Sequence, residues 1–180
     1  MKPVKRVVIG LVAVIVLVLV VGFALPHHVH VERSIVINAP QPQLFDVLDG
    51  FKRFNEFSPW AALDPDTQYT YSGPESGVGA KMSWISTNSK VGSGTNEIVD
   101  STPPNFIRTR LVFGDQAPAE ASFRFEPADG GTRVTWGFDC DLGANPIAHY
   151  FGLMFDKWIG GDYEKGLAKL KQVMEQTNTG

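Results

Sequence analysis

The sequence predicts an α+β fold: one curved antiparallel sheet with helices on one side of it, carried behind a single membrane-spanning helix. Three observations carry that reading. An uncharged apolar run opens the chain, strand-like segments separated by turn residues fill its middle, and the hydrophobic period changes to that of a helix after Pro146.

The opening run, VVIGLVAVIVLVLVVGFAL from Val7 to Leu25, has no charged or polar side chain. At about 1.5 Å per residue it reaches roughly 28 Å, near the hydrocarbon thickness of a bilayer. Its Val and Ile residues are poor helix formers in water, but lipid requires every backbone N–H and C=O to be paired internally, which a helix does. Lys2, Lys5 and Arg6 precede the run, so the positive-inside rule puts the N-terminus in the cytoplasm and the rest of the chain across the membrane. A cleaved signal peptide is the alternative, with Gly22 and Ala24 as small residues before a cut. The run exceeds the roughly 7–15 residues of a normal signal-peptide core.

The expected organisation is an N-terminal tip and anchor, residues 1–26, followed by one domain, residues 27–180, which no repeat or long linker divides. Lys2, Lys5 and Arg6 are three of the 16 basic residues, so this domain holds 13 basic against all 19 acidic residues, a net charge of -6. That excludes nucleic acid as an expected partner. Cys140 is the sole cysteine of the chain, so no intramolecular disulfide forms, and its acidic neighbours Asp139 and Asp141 disfavour a reactive thiolate.

The domain opens with VHVERSIVINAP, rich in β-branched residues, a first strand. In PQPQLFDVLDG, Leu44, Phe45, Val47 and Leu48 recur at helical spacing between prolines and Gly50, which marks a short helix. FKRFNEF adds a helical turn that Pro59 stops. Strands follow around TQYTYS, GAKMSWIS, SGTNEIVD, NFIRTRLVF, EASFRFEP and TRVTWGFDCDL, joined by Gly-, Pro- and Asn-containing turns. Short turns make consecutive strands antiparallel. In the last strand Val134, Trp136, Phe138, Cys140 and Leu142 alternate with Arg133, Thr135, Gly137, Asp139 and Asp141, so one face is buried. After Pro146, Ile147, Tyr150, Phe151, Met154, Phe155, Trp158, Ile159, Tyr163, Leu167, Leu170, Val173 and Met174 keep three-and-four spacing over a long amphipathic helix. Gly160 and Gly161 predict a bend midway. The apolar row from Val134 to Leu142 is expected to face this helix.

RSIVINAP before a short helix, then SPW, GVGAKMSW, GTRVTW and the closing GGDYEKGLAKLKQ resemble the SRPBCC or START-like superfamily. The similarity is to its polyketide cyclase/dehydrase-like members with an N-terminal membrane anchor, and it spans about Glu32 to Glu175. The resemblance implies a helix-grip fold, a seven-stranded antiparallel sheet around the long C-terminal helix with a hydrophobic cavity between them. It also implies a bacterial source and hence a periplasmic domain. It carries over no catalytic residue, because these proteins share no universal catalytic motif. His149 is the only histidine in the domain body, so the iron-binding His/His/Asp pattern of ring-hydroxylase members is absent.

The expected ligand-binding residues are Trp84, Phe113, Phe123, Phe125, Trp136 and Phe138 on strands, and Met154, Phe155 and Trp158, with Phe151, on the helix. Trp60 of SPW is expected at the cavity entrance, as a gate or as an indole plug. An enzyme would need acid–base groups inside the pocket, and the available ones are Tyr69, Tyr71, Glu97, Asp100, Arg108, Arg110, His149 and Asp156. Arg108 and Arg110 alternate away from Ile107, Thr109, Leu111 and Phe113 and so belong to the wet face. His28 and His30 of HHVH share a strand face, but two ligands make a weak metal site, and neither metal nor cofactor is expected. The expected function is binding of a hydrophobic small molecule, a lipid or polyketide-like metabolite, at the outer face of the membrane. The alternatives are a cyclase- or dehydratase-type enzyme using the same pocket, and a ligand-free envelope interaction module.

Overall fold

A computed structural model describes residues 2–114 and 116–177. The chain starts with α1 (Lys2–Ala24), which is long and apolar enough to cross a membrane, a property that signal sequences share. After β1 (His28–Ile37) come α2 (Gln41–Leu48) and a 3-10 turn at Phe54–Glu56. Pro40 and Pro42 start α2, whose Leu44, Phe45 and Leu48 are buried. The strands β2 (Gln68–Ser72), β3 (Lys81–Ile85), β4 (Ser93–Thr102), β5 (Phe106–Phe113), β6 (Ala119–Ala128) and β7 (Gly131–Asp141) follow, and α3 (Pro146–Thr177) closes the chain.

All seven strands form one antiparallel sheet in the order β1-β7-β6-β5-β4-β3-β2. β2 to β7 are a simple meander, and β1 adds to the free edge of β7 with Val31 opposite Phe138 and Arg33 opposite Trp136. β1 and β2 therefore lie at opposite edges, so the segment holding α2 must cross the sheet between them. The Phe45 ring of α2 meets Phe125 of β6 edge-on, with centroids 5.7 Å apart. This is the expected helix-grip arrangement.

α3 runs as one helix through Gly160 and Gly161. Gly160 is small for packing: a Cβ there would overlap the guanidinium of Arg33. Arg33 of β1 donates from Nε to Glu164 at 2.7 Å and from Nη1 to Asp156 at 3.0 Å, tying the helix to the sheet edge. Lys171 donates to the Val36 carbonyl at 2.9 Å farther along.

Packing differs at the two ends of this layer. Leu167, Leu170 and Met174 of the second half of α3 are fully buried together with Val134, Ile37 and Leu44, a solid core. Toward the first half of α3 the helix and sheet stand apart.

Candidate functional site

Where they stand apart, they enclose a cavity of about 530 Å³, within the roughly 300–1,000 Å³ of small-molecule sites. The row from Val134 to Cys140 thus faces two environments. Val134 belongs to the solid core, whereas Trp136, Phe138 and Cys140 line the cavity.

Trp136 forms the wall between the two. Its indole stacks on Tyr163 of α3 with centroids 4.1 Å apart and an interplanar angle of 13°, and meets Trp60 edge-on at 6.1 Å. Trp60, Trp84, Phe113, Phe123, Trp136, Phe138, Phe155 and Trp158 all line the cavity. Two other expected lining residues lie elsewhere. Phe125 points under α2 against Phe45, because its place in β6 is beyond the point where the layers close. Met154 is exposed on the outside of α3, as is Phe151, since both lie on the helix face turned away from the cavity.

The lining also holds polar atoms. Asn96 on β4 and Thr109 on β5 are buried on the cavity-facing side, and Asn96 Oδ1, Thr109 Oγ1 and Asn55 Oδ1 have no hydrogen-bond partner among the described residues. Asn96 and Thr109 are polar groups at strand positions where alternation calls for apolar ones, whereas Asn55 sits in the 3-10 turn, where no such pattern marks it. A buried acceptor or hydroxyl without a partner is costly unless something else satisfies it. Both acceptors and a hydroxyl donor are thus presented to whatever occupies the cavity.

The phenols and the thiol of the lining favour their neutral forms. Burial raises the pKa of Tyr69, of Tyr163 and of the Cys140 thiol, the last helped by Asp139 and Asp141. At the rim Asp141 accepts a hydrogen bond from His27, which keeps its carboxyl below the usual aspartate range, and Asp162 pairs with Lys165 at 2.9 Å. Of the eight expected acid–base candidates, only Tyr69 lines the cavity. Glu97 pairs with Lys81, and Asp100 with Arg108 at 3.5 Å, on the outer sheet face. Arg110 and Tyr71 are exposed, and Asp156 is bound to Arg33. His149 is buried at the joint between α1 and α3.

The histidines near the end of α1 regroup relative to expectation. His30 pairs with Asp139 at 2.6 Å, so the potential ligand atoms that converge are those of His27, His28 and Asp141, within 4.8 Å of one another. All three side chains are exposed and already pair among themselves.

A family profile described as polyketide cyclase / dehydrase and lipid transport matches residues 28–175. The chain belongs to this family. Membership in the polyketide cyclase/dehydrase and lipid transport family makes the domain a ligand-binding or cyclase-type one of SRPBCC kind. Among solved structures, the di-domain ARO/CYC StfQ from the steffimycin biosynthetic pathway is similar, with a TM-score of 0.65 and 10% identity over 85% of this chain and 52% of StfQ. SA2116 of Staphylococcus aureus has a TM-score of 0.64 and 11% identity, covering 85% of this chain and 97% of its own. Aha1 of Colwellia psychrerythraea has a TM-score of 0.53 and 16% identity over 82% and 96% of the two chains. At such identities the likeness is one of fold alone. No curated protein sequence matches the chain.

Proposed function

We propose that the domain binds a hydrophobic small molecule, a lipid or a polyketide-like metabolite, in the cavity between sheet and α3, anchored by α1 at the outer face of a cytoplasmic membrane. The carrying observation is the cavity itself: about 530 Å³ walled by indole and phenyl rings, with its buried ionisable groups neutral. Affinity then comes from apolar burial, at roughly 25 cal/mol per Å² removed from water before ordering costs. Asn96, Thr109 and Asn55 select a ligand with one polar group, a hydroxyl, carbonyl or protonated carboxyl, at an otherwise apolar body.

Retention of α1 as an anchor is supported by its packing on the domain. Gly22 lies against Pro146 and Tyr150, and the Tyr150 hydroxyl donates to the Val18 carbonyl at 2.7 Å. The orientation rests on Lys2, Lys5 and Arg6 before the span.

The enzyme reading draws on the likeness to StfQ, whose name is that of an ARO/CYC protein. The phenols in the lining are Tyr69 and Tyr163, and the raised pKa of each suits it to donate a hydrogen bond rather than to serve as a base. Native mass spectrometry of the whole chain, released from lipid nanodiscs, tests the binding reading. A stoichiometric hydrophobic adduct is expected, and Ala121→Phe, which projects a ring into the cavity, removes it. A bare mass together with no binding of an apolar dye overturns the reading.

A further inference from the structure

The first half of α3 carries an apolar stripe that no described residue covers. Ile147, Phe151, Met154 and Trp158 are spaced 4, 3 and 4 residues apart, which puts them on one helix face, and each is between 44% and 54% exposed. The stripe extends about 17 Å along the axis at about 1.5 Å per residue. Beyond Trp158 the helix surface turns polar, with Lys165 and Lys169 exposed.

Its position relative to α1 decides what covers it. The Tyr150 hydroxyl reaches the carbonyl of Val18, six residues before the end of α1, and Pro146 seats against Gly22. At about 1.5 Å per residue, Val18 lies about 9 Å below the outer end of a perpendicular span, so Tyr150 must enter the same layer of the bilayer. One turn on, Phe151 and Met154 lie outside the cavity lining, and the stripe lies beside a helix that is itself almost wholly exposed and apolar. Tyr and Trp favour this depth, where one end of the ring is wet and the other dry. Trp158 belongs to both the stripe and the cavity lining.

We propose that the first half of α3 is an interfacial helix whose stripe of Ile147, Phe151, Met154 and Trp158 lies in the outer leaflet beside α1, so that the cavity opens onto lipid beside the exposed ring of Trp158. Ligand then passes laterally between bilayer and cavity without crossing water. The proposal rests on the reading of α1 as a retained anchor and of the cavity as a hydrophobic binding site.

The test uses the whole chain, with Cys140→Ala, reconstituted in phosphatidylcholine vesicles. A fluorescent label is placed at Met154→Cys, or at Ile147→Cys should the first variant not fold, and at Lys169→Cys as a reference. The expected result is loss of label fluorescence with doxyl-phosphatidylcholine at 154 or 147 and not at 169, with aqueous iodide giving the opposite pattern. Quenching of the stripe by iodide and not by doxyl lipid overturns the proposal. Shielding from both places a second copy of the chain or another protein there and also overturns it. Separately, Ile147→Glu with Phe151→Glu is expected to slow uptake of an anthroyloxy fatty acid from vesicles while leaving the amount bound from detergent micelles unchanged. An equal uptake rate in the variant overturns the lateral route. No binding by either delivery defeats the functional reading alone, because the quenching result stands without a ligand.

Discussion

Thr109 and Asn96 put unpartnered polar atoms on the apolar face of two strands, beside the rings of the cavity. Replacing a buried, unsatisfied hydroxyl by a methyl of the same shape removes a desolvation cost of about 1–3 kcal/mol. Thr109→Val is therefore expected to raise the melting temperature of the ligand-free protein and to lower retention of a ligand with a polar head, by thermal denaturation and native mass spectrometry respectively. A lower melting temperature in ligand-free Thr109→Val would falsify the view that the hydroxyl is reserved for a ligand. His149 gives a second expectation. Its Nδ1 and Nε2 are each 2.8 Å from a carbonyl, of Gly22 and Gly143, and only the imidazolium has an N–H for both. The Gly143 carbonyl first, then that of Gly22 and the charge of Asp141, raise its pKa against the opposing effect of burial, and His27 is its other titratable neighbour, with ring centroids 6.3 Å apart. The folded chain thus holds a proton that the unfolded chain releases near pH 6.5. This contribution is complete below that pH and is lost as pH rises through the raised value. The melting temperature is expected to fall over that window, and the fall to be smaller in His149→Gln; parallel curves for the two proteins would remove His149 from the account.

At the scale of the element, the glycines of α3 have opposite roles that helix propensity does not separate. A Cβ on Gly161 meets nothing within 4 Å, whereas one on Gly166 would lie 2.7 Å from the Trp136 ring and 3.3 Å from Pro59. Gly161→Ala is therefore expected to stabilise the protein by about 1 kcal/mol from helix propensity. Gly166→Ala is expected to destabilise it by about 1–3 kcal/mol through overpacking, read as denaturation midpoints. The Trp136 ring has little room to yield, because it is stacked on Tyr163 and tilted against Phe123 at 4.9 Å. The sequence shows two adjacent glycines and suggests a bend; it does not show that Arg33, more than a hundred residues earlier, occupies the space beside the first of them. The strands were legible because alternation is a local property. Thus Arg108 lies on the outer face with Asp100 and Glu120, as the pattern around Ile107 and Leu111 implies.

For the whole molecule, the joint between α1 and α3 predicts that the chain isolated from membranes has an intact mass that includes α1. A mass beginning after residue 24 or 25 would show cleavage and defeat both the anchor and the interfacial placement of α3. Widening the joint with Gly22→Leu, whose Cβ would meet the Pro146 carbonyl at 2.7 Å, is expected to release Tyr150 from Val18 and to increase its exposure, measured by hydrogen exchange of the first turns of α3. The order of elements, the antiparallel strands, the apolar faces and one helix with the length and composition of a membrane span are all legible in the residue pattern. Each of these depends on neighbours within a few residues, through hydrophobic period, turn chemistry or charge. That Trp136 stands between core and cavity, that Phe125 and Met154 lie outside the lining, and that Asn96 and Thr109 lie within it follows from the packing of sheet on helix. The reason is geometric: alternation tells which side of a strand is buried, but the gap between sheet and helix is set by contacts such as Arg33 to Glu164 and Trp136 to Tyr163, which join residues far apart in the chain.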